Sequence, residues 1–328
     1  MPIFCADITA DAQSRASPSR FCCGVHRWNG VFDAQRQYTR AIDTRIRDTA
    51  IAHHAHMSAT TCPGQPRSRG AVQLSTKSAA TGTVLDGLRQ SGSLRCLFPQ
   101  RRSDTLDAVL VNTAGGVTGG DRFDFSARAA TGTTLSLTTQ ACERAYKAQA
   151  KEIGQISNRL RVDAGARINW LPQETILFNG SALHRRLNID LAQDASLLMV
   201  EPLVFGRAAM GETLTDIRFL DRIEIRRDGV PLFIDAMSLR GNVADHLARP
   251  FIADGAGAMA LVVLVDKAAE AHAATLQATL PAWGGASLIH DDVLVMRLLA
   301  EDSFALRQTL MPVLQNLNCG ALPRCWMI

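Results

Sequence analysis

The sequence predicts a mainly β protein, a two-layer, solenoid-like stack of β-sheets with a pair of C-terminal helices. Three observations predict this class. From residue 70 onward, short strand-like runs alternate with turn residues. Three central segments resemble one another and recur about every thirty residues. Helical patterns are concentrated near the C-terminus.

The three related segments are residues 127–140 (ARAATGTTLSLTTQ), 160–173 (LRVDAGARINWLPQ) and 189–202 (IDLAQDASLLMVEP). Each contains an alternating strand, a turn of small residues and a second apolar strand. The recurrence indicates stacked β-hairpins or a solenoid-like double sheet, in which each repeat covers its neighbour. The hairpins of an ordinary β-sandwich would produce nearly the same pattern, so the spacing leaves both arrangements open.

Outside these segments, apolar and alternating runs predict further strands at residues 71–77, 217–226, 232–237, 259–265 and 293–299. Residues 267–280 are rich in alanine and stop at Pro281, which predicts a helix. Residues 301–316 predict a second helix, with acidic residues near its start and Pro312 as a point of kinking or division.

Residues 110–122 (LVNTAGGVTGGDR) contain two pairs of glycines followed by Asp121. A P-loop would require Lys and Ser/Thr after the last glycine and then a helix. Here Asp121 and Arg122 follow, and then a pattern of period two. The residues therefore favour a tight turn at positive φ with Asp121 capping its backbone. A phosphate- or nucleotide-binding enzyme that uses the loop from Gly115 to Asp121 is the alternative.

The composition excludes several classes of protein. The chain has 35 basic and 31 acidic side chains, a net charge of +4, and only 5% aromatic residues, which gives no indication of nucleic-acid binding. No apolar run is long enough to span a membrane. The eight cysteines form no C-x-x-C pair, and no export signal is recognisable. We therefore expect reduced thiols and a cytoplasmic protein.

Residues 1–69 differ from the rest in being rich in Ser, Thr, Arg and Ala, with little periodicity. This composition predicts a disordered N-terminal extension that precedes a β domain of residues 70–328. Three histidines at 53, 54 and 56 lack nearby Cys or carboxylate partners, so we expect an incidental cluster. Met57 follows them directly and is a candidate for the true start of the protein.

Six ordered segments resemble the urease accessory protein family UreD, also called UreH. They are residues 88–100 (LRQSGSLRCLFPQ), 109–123 (VLVNTAGGVTGGDRF), 137–148 (LTTQACERAYKA), 170–186 (WLPQETILFNGSALHRR), 201–212 (EPLVFGRAAMGE) and 322–328 (LPRCWMI). Their order and spacing fit the family over residues 70–328. Residues 1–69 show no such resemblance.

The resemblance implies a scaffold that is not an enzyme. Proteins of this family form a complex with the accessory protein UreF and the GTPase UreG, and this complex helps to deliver nickel to apo-urease. No stably bound cofactor is expected, because Ni²⁺ would only be in transit. The family fold, a two-layer stack of strands with a pair of helices, agrees with the pattern of the sequence. An adaptor of solenoid type that is unrelated to urease is a third possibility.

Transit of Ni²⁺ requires polar oxygens that bind weakly enough to release the ion. Five carboxylates are candidates for this path. Four lie in the matching segments: Asp121, Glu143, Glu174 and Glu201. The fifth, Asp235, lies between apolar residues. Four of the five also have a structural alternative: a turn cap for Asp121, a surface ion pair for Glu143, a hydrogen bond at the end of a hairpin for Glu174, and a buried salt bridge for Asp235.

Two histidines, His184 and His246, are weaker candidates for the path, because lone histidines usually serve as ordinary hydrogen-bonding groups. Residues 205–212 (FGRAAMGE) combine Phe, Arg and Met with small residues, a composition that suits a packed interface. We expect this segment to contact UreF or urease through Phe205, Arg207, Met210 and Glu212.

Overall fold

The computed structural model describes residues 65–100, 103–318 and 321–327. The candidate start at Met57 and the three histidines before it lie outside the described residues. Residues 1–64 of the predicted extension lie outside them too. The first described strand begins at Arg69. These predictions remain expectations from the sequence.

In the described residues the strands are β1 (Arg69–Ala79), β2 (Gly82–Gly92), β3 (Leu94–Leu97), β4 (Leu106–Asn112), β5 (Arg122–Ala129), β6 (Thr134–Thr139), β7 (Glu143–Ala145), β8 (Gly154–Val162), β9 (Arg167–Leu171), β10 (Thr175–Leu177), β11 (Ala182–Leu191), β12 (Ser196–Phe205), β13 (Ile217–Arg227), β14 (Val230–Gly241), β15 (Ala258–Val265), β16 (Gly284–His290) and β17 (Val293–Ala300). The α-helices are α1 (Val243–Leu247), α2 (Ala269–Thr279) and α3 (Ser303–Leu317).

The strands form two sheets that face each other. The seven-stranded sheet has the order β14-β13-β11-β8-β5-β1-β2, and the five strands between its two edge strands run parallel. The ten-stranded sheet has the order β16-β17-β15-β12-β9-β6-β4-β3, and the short strands β7 and β10 pair beside it. Within it β4, β6, β9 and β12 are parallel.

The three related segments are the turns of a solenoid. In each one the first strand belongs to the seven-stranded sheet and the second to the ten-stranded sheet, as in β5 and β6, β8 and β9, and β11 and β12. The turns also pair with one another, since Asp163 N donates to Ala129 O at 3.0 Å and Ala192 N to Val162 O at 2.9 Å. The solenoid-like prediction is confirmed. The hairpin alternative is wrong, because the two strands of a repeat pair with other repeats and not with each other.

Two hydrophobic layers hold these elements together. One lies between the sheets, and the other lies between the ten-stranded sheet and the helices α2 and α3. Strand β12 is buried at nearly every position because it is covered on both faces, which explains its continuous apolar run. The predicted pair of C-terminal helices is confirmed, and α3 continues through Pro312. No helix of the described ranges has the length and apolarity that crossing a bilayer requires.

The other strand predictions are confirmed as well. The runs at 71–77, 217–226, 232–237, 259–265 and 293–299 lie within β1, β13, β14, β15 and β17. Alternation is clearest in β13, where every second residue from Ile217 to Ile225 is buried. That alternation turns the odd-numbered side chains of β13 toward the space between the sheets.

We expect Leu137→Ala to lower the free energy of unfolding by about 2–5 kcal/mol, because it empties a fully buried position between the sheets. Urea titration followed by circular dichroism measures this change. Leu97→Ala is the matched control, since Leu97 is 58% exposed, and it should cost less than about 0.5 kcal/mol. Equal effects of the two substitutions would contradict the described packing.

Candidate functional site

A cavity of about 180 Å³ lies between the two sheets, at one end of the solenoid. The parallel strands of the ten-stranded sheet end here, and those of the seven-stranded sheet begin here. Its apolar wall includes Phe125 and Trp170, whose rings stack with centroids 5.7 Å apart. Its polar wall combines amide, hydroxyl, guanidinium and carboxylate groups, among them Asn158, Glu143 and Glu201. The cavity therefore has an apolar and a polar side.

The glycine-rich loop between β4 and β5 forms one side of the cavity. Gly116 lies in this wall at φ 155°, and a Cβ there would meet the Tyr146 ring at 2.3 Å and Arg144 O at 2.6 Å, so only glycine fits. The buried Asp121 carboxylate accepts hydrogen bonds from Ser68 N at 2.7 Å and Thr118 N at 2.9 Å. Asp121 thus caps the loop, behind the cavity wall.

Glu143 lines the cavity from the first position of β7. Its carboxylate accepts hydrogen bonds from Asn112 Nδ2 at 3.1 and 3.2 Å, and it forms no salt bridge with any described residue. Burial raises its pKa to about 7, although the hydrogen bond from Asn112 opposes this shift. Near neutral pH Glu143 is therefore divided between its neutral and its charged form.

A buried arginine in the cavity wall connects the two sheets. Arg185 of β11 donates to both oxygens of Asp221 on β13, at 2.9 and 2.5 Å, and lies 2.6 Å from Glu201 of β12. It also donates to Thr175 Oγ1 at 3.1 Å, and Trp170 Nε1 donates to Glu201 at 2.7 Å. All the strong hydrogen-bonding groups of this cluster thus have partners.

Burial and the neighbouring charges shift the pKa values of this cluster in opposite directions. Burial raises the pKa of Glu201, and the Arg185 guanidinium counters that effect. Burial disfavours the charge of Arg185, but Asp221 and Glu201 raise its pKa above the ordinary value, so it remains a cation. One cation thus faces two carboxylates, which leaves a net charge of −1 when both acids are ionised.

Glu174 and Asp235 each form a salt bridge with an arginine from a distant part of the chain. Arg307 of α3 donates to Glu174 at 2.5 and 2.9 Å and thereby attaches the C-terminal helix to the cavity end of the solenoid. Burial would raise the pKa of Glu174, but Arg307 lowers it below the ordinary value. Asp235 accepts a 2.5 Å bond from Arg297 across the two sheets. Neither carboxylate lines the cavity.

Neither candidate histidine lines the cavity. His184 faces outward from the seven-stranded sheet. His246 lines a separate apolar pocket of about 60 Å³, together with Phe205, and its two ring nitrogens have no hydrogen-bond partner. Burial lowers the pKa of His246, so its neutral form is favoured.

The predicted interface segment adjoins the same end of the solenoid. Arg207 is held by Glu212 at 2.8 Å and lies 4.1 Å above the centroid of the Phe178 ring. Phe178 contacts the edge of Tyr146, whose hydroxyl donates to Gly115 O in the glycine-rich loop at 3.2 Å. Met210 is 75% exposed. The segment is therefore connected to the cavity wall through two aromatic rings.

Comparison with known proteins identifies the family. The family model described as UreD urease accessory protein matches residues 68–327. The chain belongs to the UreD family. The UreD protein of Ruegeria pomeroyi is 60% identical over 257 residues, which are 78% of this chain and 100% of that protein. The UreD proteins of Roseobacter denitrificans and Rhizobium etli are 52% and 42% identical, over 80% and 79% of this chain and 96% and 95% of theirs.

Membership of the UreD family confirms the resemblance seen in six sequence segments. The third possibility, an adaptor unrelated to urease, is wrong, because the family model and the relatives bear the name of urease accessory proteins. Their names describe accessory proteins, which agrees with a role other than catalysis.

The sequence prediction missed the arginine at the centre of the site. Arg185 alternates with Leu183 and Leu187, which face inward. The same parity turns Asp221 inward between Phe219 and Ile223. Strand alternation could therefore have identified both residues as buried charges that require a partner.

The cavity of this UreD protein offers oxygen donors for a cation. Glu143 and Glu201 supply carboxylates, and Asn112 and Gln173 supply amides. Over the described ranges, no three His, Cys, Asp or Glu side chains are arranged as a metal site. Two carboxylates bind a divalent cation weakly compared with a closed set of protein ligands.

We expect Glu143→Gln to raise stability at alkaline pH. In the folded protein the pKa of Glu143 is about 7, whereas in the unfolded chain it has the ordinary value for a glutamate. As pH rises between these two pKa values, Glu143 therefore lowers the free energy of unfolding. Relative to the unaltered protein, the variant should gain about 1–3 kcal/mol in free energy of unfolding between pH 5 and pH 8. Urea titrations at several pH values measure the gain.

Glu270→Gln, at an exposed position of α2, is the control for the removal of one carboxylate. A pH-independent difference between Glu143→Gln and the unaltered protein would show that burial does not hold the proton on Glu143.

Proposed function

We propose that this UreD protein delivers Ni²⁺ to apo-urease in the cytoplasm, as a scaffold without catalytic activity, in complex with UreF and UreG. The ion would cross the protein through the cavity between the sheets. The observation that carries the proposal is the presence of Glu143 and Glu201 on the wall of a polar cavity within a member of this family.

The size of the cavity suits a hydrated ion. Its volume of about 180 Å³ leaves space for several water molecules, and its wall supplies the polar partners that ordered water requires. A Ni²⁺ ion could therefore keep part of its hydration shell and exchange single waters for carboxylate oxygens. Retaining water lowers the cost of entry as well as the cost of release.

The charges in the cavity favour passage over storage. Glu143 is partly protonated near neutral pH, so an arriving cation competes with a proton for its carboxylate, and a returning proton assists release. Arg185 places a positive charge beside Glu201 and weakens its attraction for a second cation. Both effects keep the ion exchangeable.

We assign a structural role to the other three predicted path residues. Asp121 closes the glycine-rich loop, Glu174 attaches α3, and Asp235 bridges the sheets through Arg297. None of these three acids lines the cavity, whereas Glu143 and Glu201 do. We therefore expect Glu143 and Glu201 to contact nickel, and the other three acids to hold the walls in place.

The alternative, an enzyme that binds phosphate or nucleotide at the glycine-rich loop, has less support. The amides of Gly115, Val117 and Thr118 already donate to groups within the protein, and Asp121 places a carboxylate at the end of the loop. Both features disfavour an anion. Titration with GTP and ATP distinguishes the two functions, since the scaffold alone should bind neither nucleotide.

We expect the double variant Glu143→Gln and Glu201→Gln to reduce nickel loading of urease about tenfold, because the oxygen ligands of the path lose their charge. Nickel per urease active site is measured by mass spectrometry after activation with the purified complex. The variant complex should still assemble in a pull-down. The control removes two exposed carboxylates away from the cavity, Glu270→Gln with Asp291→Asn. Normal nickel loading by the cavity variant would eliminate this path.

We expect Arg207→Glu combined with Met210→Asp to abolish assembly with UreF or with urease. The change removes the cation above Phe178 and places a charge at an exposed apolar position. Pull-downs with each purified partner measure assembly. Val230→Asp is the control, because Val230 is 67% exposed and lies at the opposite end of the seven-stranded sheet. Assembly of the double variant with both partners would refute the interface assignment.

A further inference from the structure

The outer face of the seven-stranded sheet, which faces away from the cavity, is rich in arginine. On one half of this face the arginines pair with carboxylates. Arg128 and Arg161 both bond to Asp163, at 2.7 and 3.1 Å, and Arg226 bonds to Glu224. These pairs lie toward the end of the sheet that is opposite to the cavity.

On the other half the positive charges have no acidic partner. The cationic cluster consists of His184 and Arg186 on β11, Arg218 on β13 and Arg240 on β14. No arginine of the cluster forms a salt bridge within the described part of the chain. Arg218 donates only to the backbone oxygen of Glu152, at 3.2 Å, and the Glu152 carboxylate is taken by Arg67.

The strand register forces these like charges together. Arg218 lies directly opposite Arg240 across the antiparallel pair of β13 and β14. Like charges at such positions destabilise a sheet. Neutral residues would relieve this repulsion, so the fold alone gives no reason for the cluster.

His184, at the centre of the cluster, contributes no further charge. Burial lowers its pKa, and so do Arg240, Arg218 and Arg186. The imidazole is therefore neutral at physiological pH. It adds a hydrogen-bonding group between the guanidinium groups, of which Arg186 and Arg240 are solvent-exposed.

We propose that the cationic cluster docks a carboxylate-rich segment of a partner protein. The guanidinium group has a planar fork that matches a carboxylate with two parallel hydrogen bonds. The site rests on rigid neighbouring strands, and it faces away from the nickel cavity, so both could be occupied together. The proposal rests on the proposed function only for the expectation that the partner is a protein.

A nucleic acid fits this surface less well. The outward positions of β11, β13 and β14 carry no aromatic side chain on which bases could stack. On the other half of the face the arginines pair with carboxylates, which reduces the charge available to a phosphate backbone. A nucleic-acid backbone would require a longer continuous stripe of positive charge.

The test uses a short fluorescein-labelled polyglutamate peptide, whose binding to the full chain is measured by fluorescence anisotropy at low and at moderate salt. We expect salt-sensitive binding, and a loss of about tenfold for Arg186→Glu with Arg240→Glu. Arg128→Glu with Arg161→Glu changes the net charge equally on the carboxylate-paired half of the same face. This control should bind within about twofold of the unaltered protein.

A second variant guards against misfolding. Arg186→Lys with Arg240→Lys keeps the charge and should retain most of the binding, with circular dichroism as the check on folding in every variant. Absence of peptide binding, or equal losses in the two charge-reversed variants, would overturn the proposal. Stronger binding of a DNA duplex to the same cluster would overturn it in favour of nucleic acid. The assay contains neither nickel nor urease, so its failure leaves the proposed function standing.

Discussion

The polar interior of this UreD protein depends on the salt bridges of the buried Arg185 guanidinium. This guanidinium reaches from the seven-stranded sheet to Glu201 in the ten-stranded sheet and binds Asp221 and Thr175 as well. Without this cation two buried carboxylates would lack a counter-charge, at a cost of several kcal/mol. They would then be protonated or would draw water into the core. The same charge lies beside Glu201 on the cavity wall and opposes the binding of a second cation there.

The solenoid explains why polar groups from separate repeats meet at one end. Each repeat runs along one sheet in one direction and returns along the other sheet in the opposite direction. The ends of successive strands therefore lie at the same edge. In the register of the short strands, Thr175 lies beside Glu143 on one side and beside Leu203 on the other. Stacking of repeats therefore builds a row of equivalent positions at the cavity. Function can be placed there without disturbing the hydrophobic layers that hold the sheets together.

The sequence predicts the architecture because local patterns carry it: alternation marks the strands, small-residue turns mark the repeats, and the helices stop at capping residues or proline. It also offers five carboxylates as candidates for a nickel path, of which Glu143 and Glu201 line the cavity and the other three do not. It does not predict which acids are neutralised, because the partner of Glu174 is Arg307, 133 residues away on a helix with no local relation to it. Arg185 and Asp221 could be predicted to face inward, but their pairing depends on which repeats are neighbours.

The central claim is that Ni²⁺ crosses this UreD protein through the cavity between the sheets. Anomalous X-ray scattering at the nickel edge, from crystals of the activation complex soaked in Ni²⁺, tests it most directly. We predict an anomalous peak inside the cavity, within bonding distance of the Glu143 or Glu201 carboxylate. Nickel found only on the outer surface, in a preparation that activates urease, would contradict the account.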